Sequence, residues 1–218
     1  MGKIVAYLGA ATSACLALDI KSDTGTYLET GVHKGRSMMF FADNLITKVK
    51  KLHLIGYDVF DLETDNFHLQ EDNGMFGRGG NFNECFNNLT QLSTSNPNIS
   101  FDLVKGYTKD TLQPTKVDWA YIDGGHSYET VKWDHEQLKD SRVIVFDDVD
   151  LSGVNRYLWE IKDQYNIYSL CVATASSEHA DHRQAIIIND IENFKFDDVS
   201  LEKFQGHDPE TYVSLRKV

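Results

Sequence analysis

The chain has little proline, little cysteine and a shortage of positive charge. Three prolines, Pro97, Pro114 and Pro209, are spread over 218 residues. That excludes Pro-rich linkers and low-complexity tracts and lets regular elements run uninterrupted. Cysteine occurs three times, at Cys15, Cys85 and Cys171. The count is odd and no pair has CxxC spacing, which argues against a disulfide framework and against a thiolate zinc site, and fits a reducing cytoplasm. Lysine and arginine total 21 against 33 aspartates and glutamates, giving a formal net charge of −12. Such a surface repels phosphate backbones, so nucleic acid is not an expected partner. No apolar run reaches the length of a membrane span, and no membrane partner is expected.

What is present is an alternation of strand-like and helix-like segments. The opening MGKIVAYLGAATSACLALDI has an apolar middle broken by Ala11-Thr12-Ser13 and followed by Asp19. It reads as an amphipathic helix over residues 1–20 that packs on the domain rather than as a signal peptide. Strands are expected at 26–31, 52–58, 99–106, 117–124 and 142–149, with helices at 34–47, 81–94, 127–139 and 152–164. Residues 60–80 are polar and glycine-rich, a loop able to close over a substrate. The runs 167–175 and 183–189 leave no room for a helix between them and read as a hairpin. Alternating β and α elements imply a parallel sheet with helices on both faces. One domain is expected over 1–218, with its core at 26–190 and an extension at 191–218.

Two apolar runs end in acid. YIDGGH delivers Asp123 and His126, and VIVFDD delivers Asp147 and Asp148. Neighbouring parallel strands lie about 4.8 Å apart, and ligands of such sheets sit outside the strands' carboxyl ends. Three carboxylates and an imidazole would then converge on one crevice, as a metal and general-base site. Because successive strand residues alternate faces, a single acid from the second run is expected to be Asp147. Upstream, Glu29-Thr30-Gly31-Val32-His33-Lys34-Gly35-Arg36-Ser37 places an acid and two glycines at a strand-to-helix turn, where backbone can approach a ligand closely. Asp58 ends the second strand, in position either to accept both ribose hydroxyls or to cap its own turn. Tyr107 follows the third strand and offers a ring for stacking.

These motifs, in this order over roughly residues 26–190, resemble class I S-adenosylmethionine-dependent methyltransferases. Asp123-Gly124-Gly125-His126-Ser127-Tyr128 resembles the DGxHSYE segment of small-molecule O-methyltransferases, relatives of macrolide-sugar and aminocoumarin-sugar O-methyltransferases. The resemblance implies an α/β, Rossmann-like, doubly wound sheet of seven strands in the order 3-2-1-4-5-7-6, mostly parallel with a C-terminal antiparallel hairpin. It implies S-adenosylmethionine held by Glu29, Thr30, Gly31, Gly35, Ser37, Asp58, Tyr107 and Asp123. It also implies Mg²⁺ held by Asp123, Asp147 and Asp148, and a small-molecule hydroxyl as methyl acceptor. The chain departs from the pattern at His33, where glycine is commoner, and at Gly125, where an acid often stands. The second departure moves the catalytic proton acceptor to His126, unless that residue only orients its loop. Two other readings stay open. A nicotinamide-dependent oxidoreductase shares the glycine turn and ribose acid, though GxGxxG is missing; a non-catalytic binding protein would share the whole fold. The Asn/Asp-Pro-Pro-aromatic motif of base methylation is absent. A homo-oligomer is left open.

Overall fold

The computed structural model describes residues 2–60, 81–172, 181–206 and 208. The loop expected at 60–80 lies outside these residues except for Phe60. Eight strands form one sheet in the order β3-β2-β1-β4-β5-β7-β6-β8. In chain order they are β1 (Thr24–Thr30), β2 (Lys51–Asp58), β3 (Ile99–Lys105), β4 (Trp119–Ile122), β5 (Val143–Phe146), β6 (Ile167–Val172), β7 (Asp181–Ile188) and β8 (Leu201–Lys203). The first five pair in parallel, and β7, β6 and β8 add antiparallel. This is the expected α/β, Rossmann-like, doubly wound architecture, with one strand more than the seven expected. The extra strand, β8, comes from the C-terminal extension and covers the edge of β6, which would otherwise present unpaired backbone groups.

The helices are α1 (Gly2–Leu16), α2 (Arg36–Leu45), α3 (Phe82–Ser95), α4 (Thr108–Thr111), α5 (Tyr128–Leu138) and α6 (Ser152–Ile161). In α2, Met38, Phe41, Ala42 and Leu45 recur at helical spacing and are all buried. Helix α3 starts where the Asn81 side chain accepts the Glu84 amide at 2.8 Å and stops at Asn96, just before Pro97. Helix α5 starts where Ser127 Oγ accepts the Thr130 amide at 3.1 Å. No described helix is long and apolar enough to cross a membrane.

Both faces of the sheet are covered, so the central strands are apolar throughout. WAYI (119–122) and VIVF (143–146) are entirely buried. Tyr27, Trp119, Tyr121, Val143, Val145 and Ile186 pack with α1, α2 and α3 on one face; Leu28, Ala120, Ile122, Ile144, Phe146 and Ile187 pack with α5 and α6 on the other. The N-terminal helix is pinned at its end, where Trp119 Nε1 donates to the Cys15 carbonyl at 2.9 Å. Strand order reverses between β1 and β4, the switch point where an open α/β sheet leaves a crevice.

Candidate functional site

The crevice is shaped first by backbone. Gly31 follows β1 with φ +86°, and a Cβ there would sit 1.9 Å from the Asp123 carbonyl oxygen. Only glycine lets the β1 and β4 ends approach this closely. Gly35, at φ +77°, turns the chain into α2. His33 between them also has positive φ, at 52°. Its amide donates to Asp58 Oδ2 at 2.7 Å, and the Phe60 amide donates to Asp58 Oδ1 at 2.5 Å. Asp58 therefore braces the glycine turn and caps its own. Each of its oxygens keeps acceptor capacity beyond these bonds, so a role toward ribose hydroxyls is compatible with the bracing.

Glu29 is fully buried beneath this turn. Its carboxylate accepts the Tyr27 hydroxyl at 2.6 Å and the Ser37 hydroxyl from α2. Burial pushes the Glu29 carboxyl up to about 8; the bonds from Ser37 and Tyr27 oppose the shift, and the Asp58 and Asp147 charges add to it.

A cavity of about 230 Å³ opens above, lined by Gly31, Ser37, Tyr121, Asp123, Asp147 and Gln184 among others. Lys34 and Arg36 stand on its α2 side. Asp147 is held by the Gln184 amide at 3.1 Å and by the Tyr121 hydroxyl, and its carboxyl is pushed up by burial and by neighbouring Asp148.

Asp148 turns the other way. The strand has ended at Phe146, and Asp148 adopts φ +50°. Its Oδ2 lies 3.3 Å from His126 Nε2, with the two side chains only 11% and 12% exposed. Ligating atoms of Asp123, His126 and Asp148 all lie within 4.8 Å of one another. The four residues expected at the strand ends are thus brought together, but divided. Asp148 rather than Asp147 groups with Asp123 and His126, and Asp147, the third acid of the expected metal set, faces the cavity. The cause is the turn at Asp148, which removes strand alternation as a guide. Asp123 belongs to both the cavity and the cluster. The His126 loop is reached closely by α6, since a Cβ on Gly153 would lie 2.2 Å from the His126 carbonyl oxygen.

Of the expected cofactor residues, Gly31, Ser37 and Asp123 line the cavity, Glu29, Gly35 and Asp58 shape the turn without lining it, and Thr30 and Tyr107 stand apart. The Thr30 hydroxyl lies on the opposite side, beside Gly124 and the buried Asp134, whose carboxyl burial pushes up to about 6. Tyr107 precedes α4, with the Lys109 ammonium 5.3 Å from its ring centre. It is near Asp58 through the Gly106 amide, which donates to the Asp58 carbonyl at 3.0 Å. Gln184 and Tyr121 are site residues that the motifs did not flag. Continuation of the β5–β7 register, Phe146 opposite Ala185, sets Gln184 opposite Asp147.

A family model described as a methyltransferase domain matches residues 28–149, more than half of the chain, from within β1 through the Asp147-Asp148 turn. The chain belongs to the methyltransferase-domain family. Its members are class I S-adenosylmethionine-dependent methyltransferases, and the glycine turn, Asp58 and the acids of the crevice all lie inside the match. No curated protein matches the chain. Among solved structures, the METTL16 methyltransferase domain is similar at 14% identity and a TM-score of 0.52, over 84% of this chain and 79% of that one. Precorrin-6Y C5,15-methyltransferase from Geobacter metallireducens is similar at 15% identity and a TM-score of 0.47, over 81% and 84%. Spermidine synthase from Thermotoga maritima is similar at 13% identity and a TM-score of 0.47; 88% of this chain is covered, but only 63% of the synthase's length. At these identities the likeness is one of fold.

Proposed function

We propose that this domain transfers a methyl group from S-adenosylmethionine to a hydroxyl of a small molecule, with His126 as the proton acceptor. The observation that carries the reading is the pairing of His126 with Asp148 at 3.3 Å, beside a glycine-cradled cavity that shares Asp123. The donor set suits the cofactor. Glycines at the β1 turn admit close backbone approach, Asp58 stands at the ribose position, and the acidic lining complements a sulfonium cation. Cofactor contacts are assigned to Glu29, Gly31, Gly35, Ser37, Asp58 and Asp123, with Thr30 and Tyr107 supporting from the second side of the turn and the β3 end.

S-adenosylmethionine supplies a methyl group on a positively charged leaving group. What the chain must add is alignment of the acceptor oxygen and removal of its proton. The Asp148 carboxylate lies 3.3 Å from His126 Nε2, where its charge stabilises the imidazolium that forms when His126 takes the proton. Ser127 caps α5 and Gly153 admits α6, and together they hold the loop that carries His126.

A metal-assisted version has its own support. Two carboxylates and an imidazole converge within 4.8 Å, a set able to ligate a divalent cation, with oxygen donors suited to Mg²⁺. Asp123 and Asp148 would hold it, and it would lower the pKa of an acceptor hydroxyl. The same Asp148 carboxylate lies against His126, so the two roles compete.

The test is calorimetric titration with S-adenosylhomocysteine, with and without Mg²⁺, against NADH as comparison. Binding of S-adenosylhomocysteine and silence toward NADH are expected. Binding of NADH instead would move the domain to the oxidoreductase reading. Tighter homocysteine-nucleoside binding in Mg²⁺, lost on chelation, would favour the metal-assisted version.

A further inference from the structure

Gln184 is a buried amide that is only half used. Its side chain is 1% exposed, on the antiparallel strand β7. The amide nitrogen donates to the Tyr121 hydroxyl at 3.2 Å and to Asp147 Oδ1 at 3.1 Å. A carboxylate only accepts, so these bonds fix which end of the amide is which. The oxygen, Oε1, then has no hydrogen-bond partner among the described residues. Buried acceptors are almost always satisfied, and leaving one bare destabilises the fold. Because Gln184 lines the cavity, a ligand can supply the missing donor.

The charges around it say which donor. Asp147 and Asp123 line the cavity together with Gln184, whereas Lys34 and Arg36 stand on the α2 side with Ser37 and the helix N-terminus. The cavity is therefore negative at one end and positive at the other. That pattern complements a zwitterion, with its carboxylate toward α2 and its ammonium toward β5 and β7.

We propose that Gln184 and Asp147 form the ammonium end of an amino-acid subsite, with Gln184 Oε1 accepting an N–H bond from the cofactor's α-amino group. The proposal rests on the cofactor reading above and extends it to a residue outside the span of the family match. Tyr121 is the positioning residue, holding both the amide and the carboxylate from below.

The experiment is calorimetry on wild type, Gln184→Met and Asp147→Asn with three probes. These are S-adenosylhomocysteine, its analogue lacking only the α-amino group, and 5′-methylthioadenosine, which lacks the whole amino-acid end. Gln184→Met should weaken S-adenosylhomocysteine by about 10–100-fold, the range for a bond to a charged donor. Its affinity for the other two probes should stay within about threefold of wild type. Asp147→Asn, which keeps shape and removes charge, should show the same selectivity and stands in if the methionine variant fails to fold. An equal loss with the deamino analogue, or no loss with S-adenosylhomocysteine, overturns the proposal. If wild type binds none of the three probes, the cofactor reading falls and the subsite falls with it.

Discussion

The two ends of the parallel sheet treat charge in opposite ways. At the amino ends, Arg142 donates to Asp190 at 2.6 Å, to Asp118 at 3.0 Å and to the Asp19 carbonyl at 2.9 Å. Asp118 in turn accepts the Thr26 amide at 2.9 Å. Burial raises the Asp190 carboxyl, but bonds from Asn193 and Arg142 outweigh it and hold the group below its usual value. At the carboxyl ends, Glu29, Asp58, Asp123, Asp147 and Asp148 crowd one crevice, and Glu29 and Asp147 are pushed up rather than down. Backbone strain follows the same division. The described non-glycine residues with positive φ are His33, Phe60 and Asp148, following β1, β2 and β5. One end pairs its polar groups with an arginine; the other holds carboxyls raised by burial beside backbone of positive φ.

The sharpest way to break this comparison is at the close approach of β1 and β4. Gly31→Ala places a methyl group 1.9 Å from the Asp123 carbonyl oxygen at a φ that alanine avoids. A loss above about 4 kcal/mol is expected, in the range that marks a special backbone position. Gly9→Ala is its control, because a Cβ there meets nothing within 4 Å and α1 is helical. That change should be neutral or stabilise by up to about 1 kcal/mol. Chemical denaturation of both variants reads the difference, and equal midpoints would remove the steric argument.

At the His126–Asp148 pair the effect should fall on turnover and not on folding. His126→Ala should lower kcat by roughly 10²–10⁴-fold with cofactor affinity intact. Asp148→Asn removes the charge but suits the left-handed backbone, since asparagine tolerates positive φ. A tenfold or greater loss of kcat is expected because the carboxylate that stabilises the imidazolium is gone, on the order of the loss when a charged partner of a histidine is removed. A weakened cofactor with normal kcat at saturation would place His126 in the binding site instead.

The amino end predicts the reverse. Arg142→Met strips two carboxylates of their partner and should cost about 2–3 kcal/mol of stability, since a part-buried charge is left unpaired. Binding of S-adenosylhomocysteine to the folded variant should be unchanged. A binding defect in that variant would show that the two ends are coupled and that their contrast is not one of stability against function.

The strands and the glycine turn were legible because both are local, whereas the sheet order followed only from the family resemblance that the motifs carry. Alternating apolar runs name the strands, and Glu29, Gly31, Gly35 and Ser37 lie within nine residues of one another. The convergence of Asp123, His126 and Asp148 was legible because two consecutive strands, β4 and β5, are neighbours in space. Which of Asp147 and Asp148 joins the cluster was not, since a positive φ at one residue overrides strand alternation. Gln184 was hidden for a different reason. A single glutamine in an apolar strand carries no motif, and only the antiparallel register of β7 sets it opposite Asp147. Strand β8 escaped because Leu201-Glu202-Lys203 is too short and too charged to show a period.

The smallest effect, and the most direct reading of the contrast, is the proton on Glu29. Its carboxyl is raised to about 8 by burial, and the groups that face it are the Tyr27 and Ser37 hydroxyls and the Asp58 and Asp147 carboxylates, with no cation among them. At pH 7 the free protein therefore holds this proton. A sulfonium and an ammonium arriving in the adjoining cavity favour the ionised form, so binding should release the proton. Affinity should rise with pH below about 8, by no more than tenfold per unit for one proton, and level off above it, where the free protein has already ionised. Stability runs the other way: the folded state keeps a proton that the unfolded chain gives up near 4.5, so this group lowers stability as pH climbs from about 4.5 to 8. Glu29→Gln keeps one acceptor oxygen, turns its NH2 donor toward the oxygen of the other hydroxyl, and cannot ionise. It should flatten the pH dependence of S-adenosylhomocysteine affinity and remove that part of the stability loss. Calorimetry in two buffers of different ionisation enthalpy counts the proton directly, and a wild-type release of zero at pH 7 would mean that Glu29 stays neutral beneath the bound cofactor.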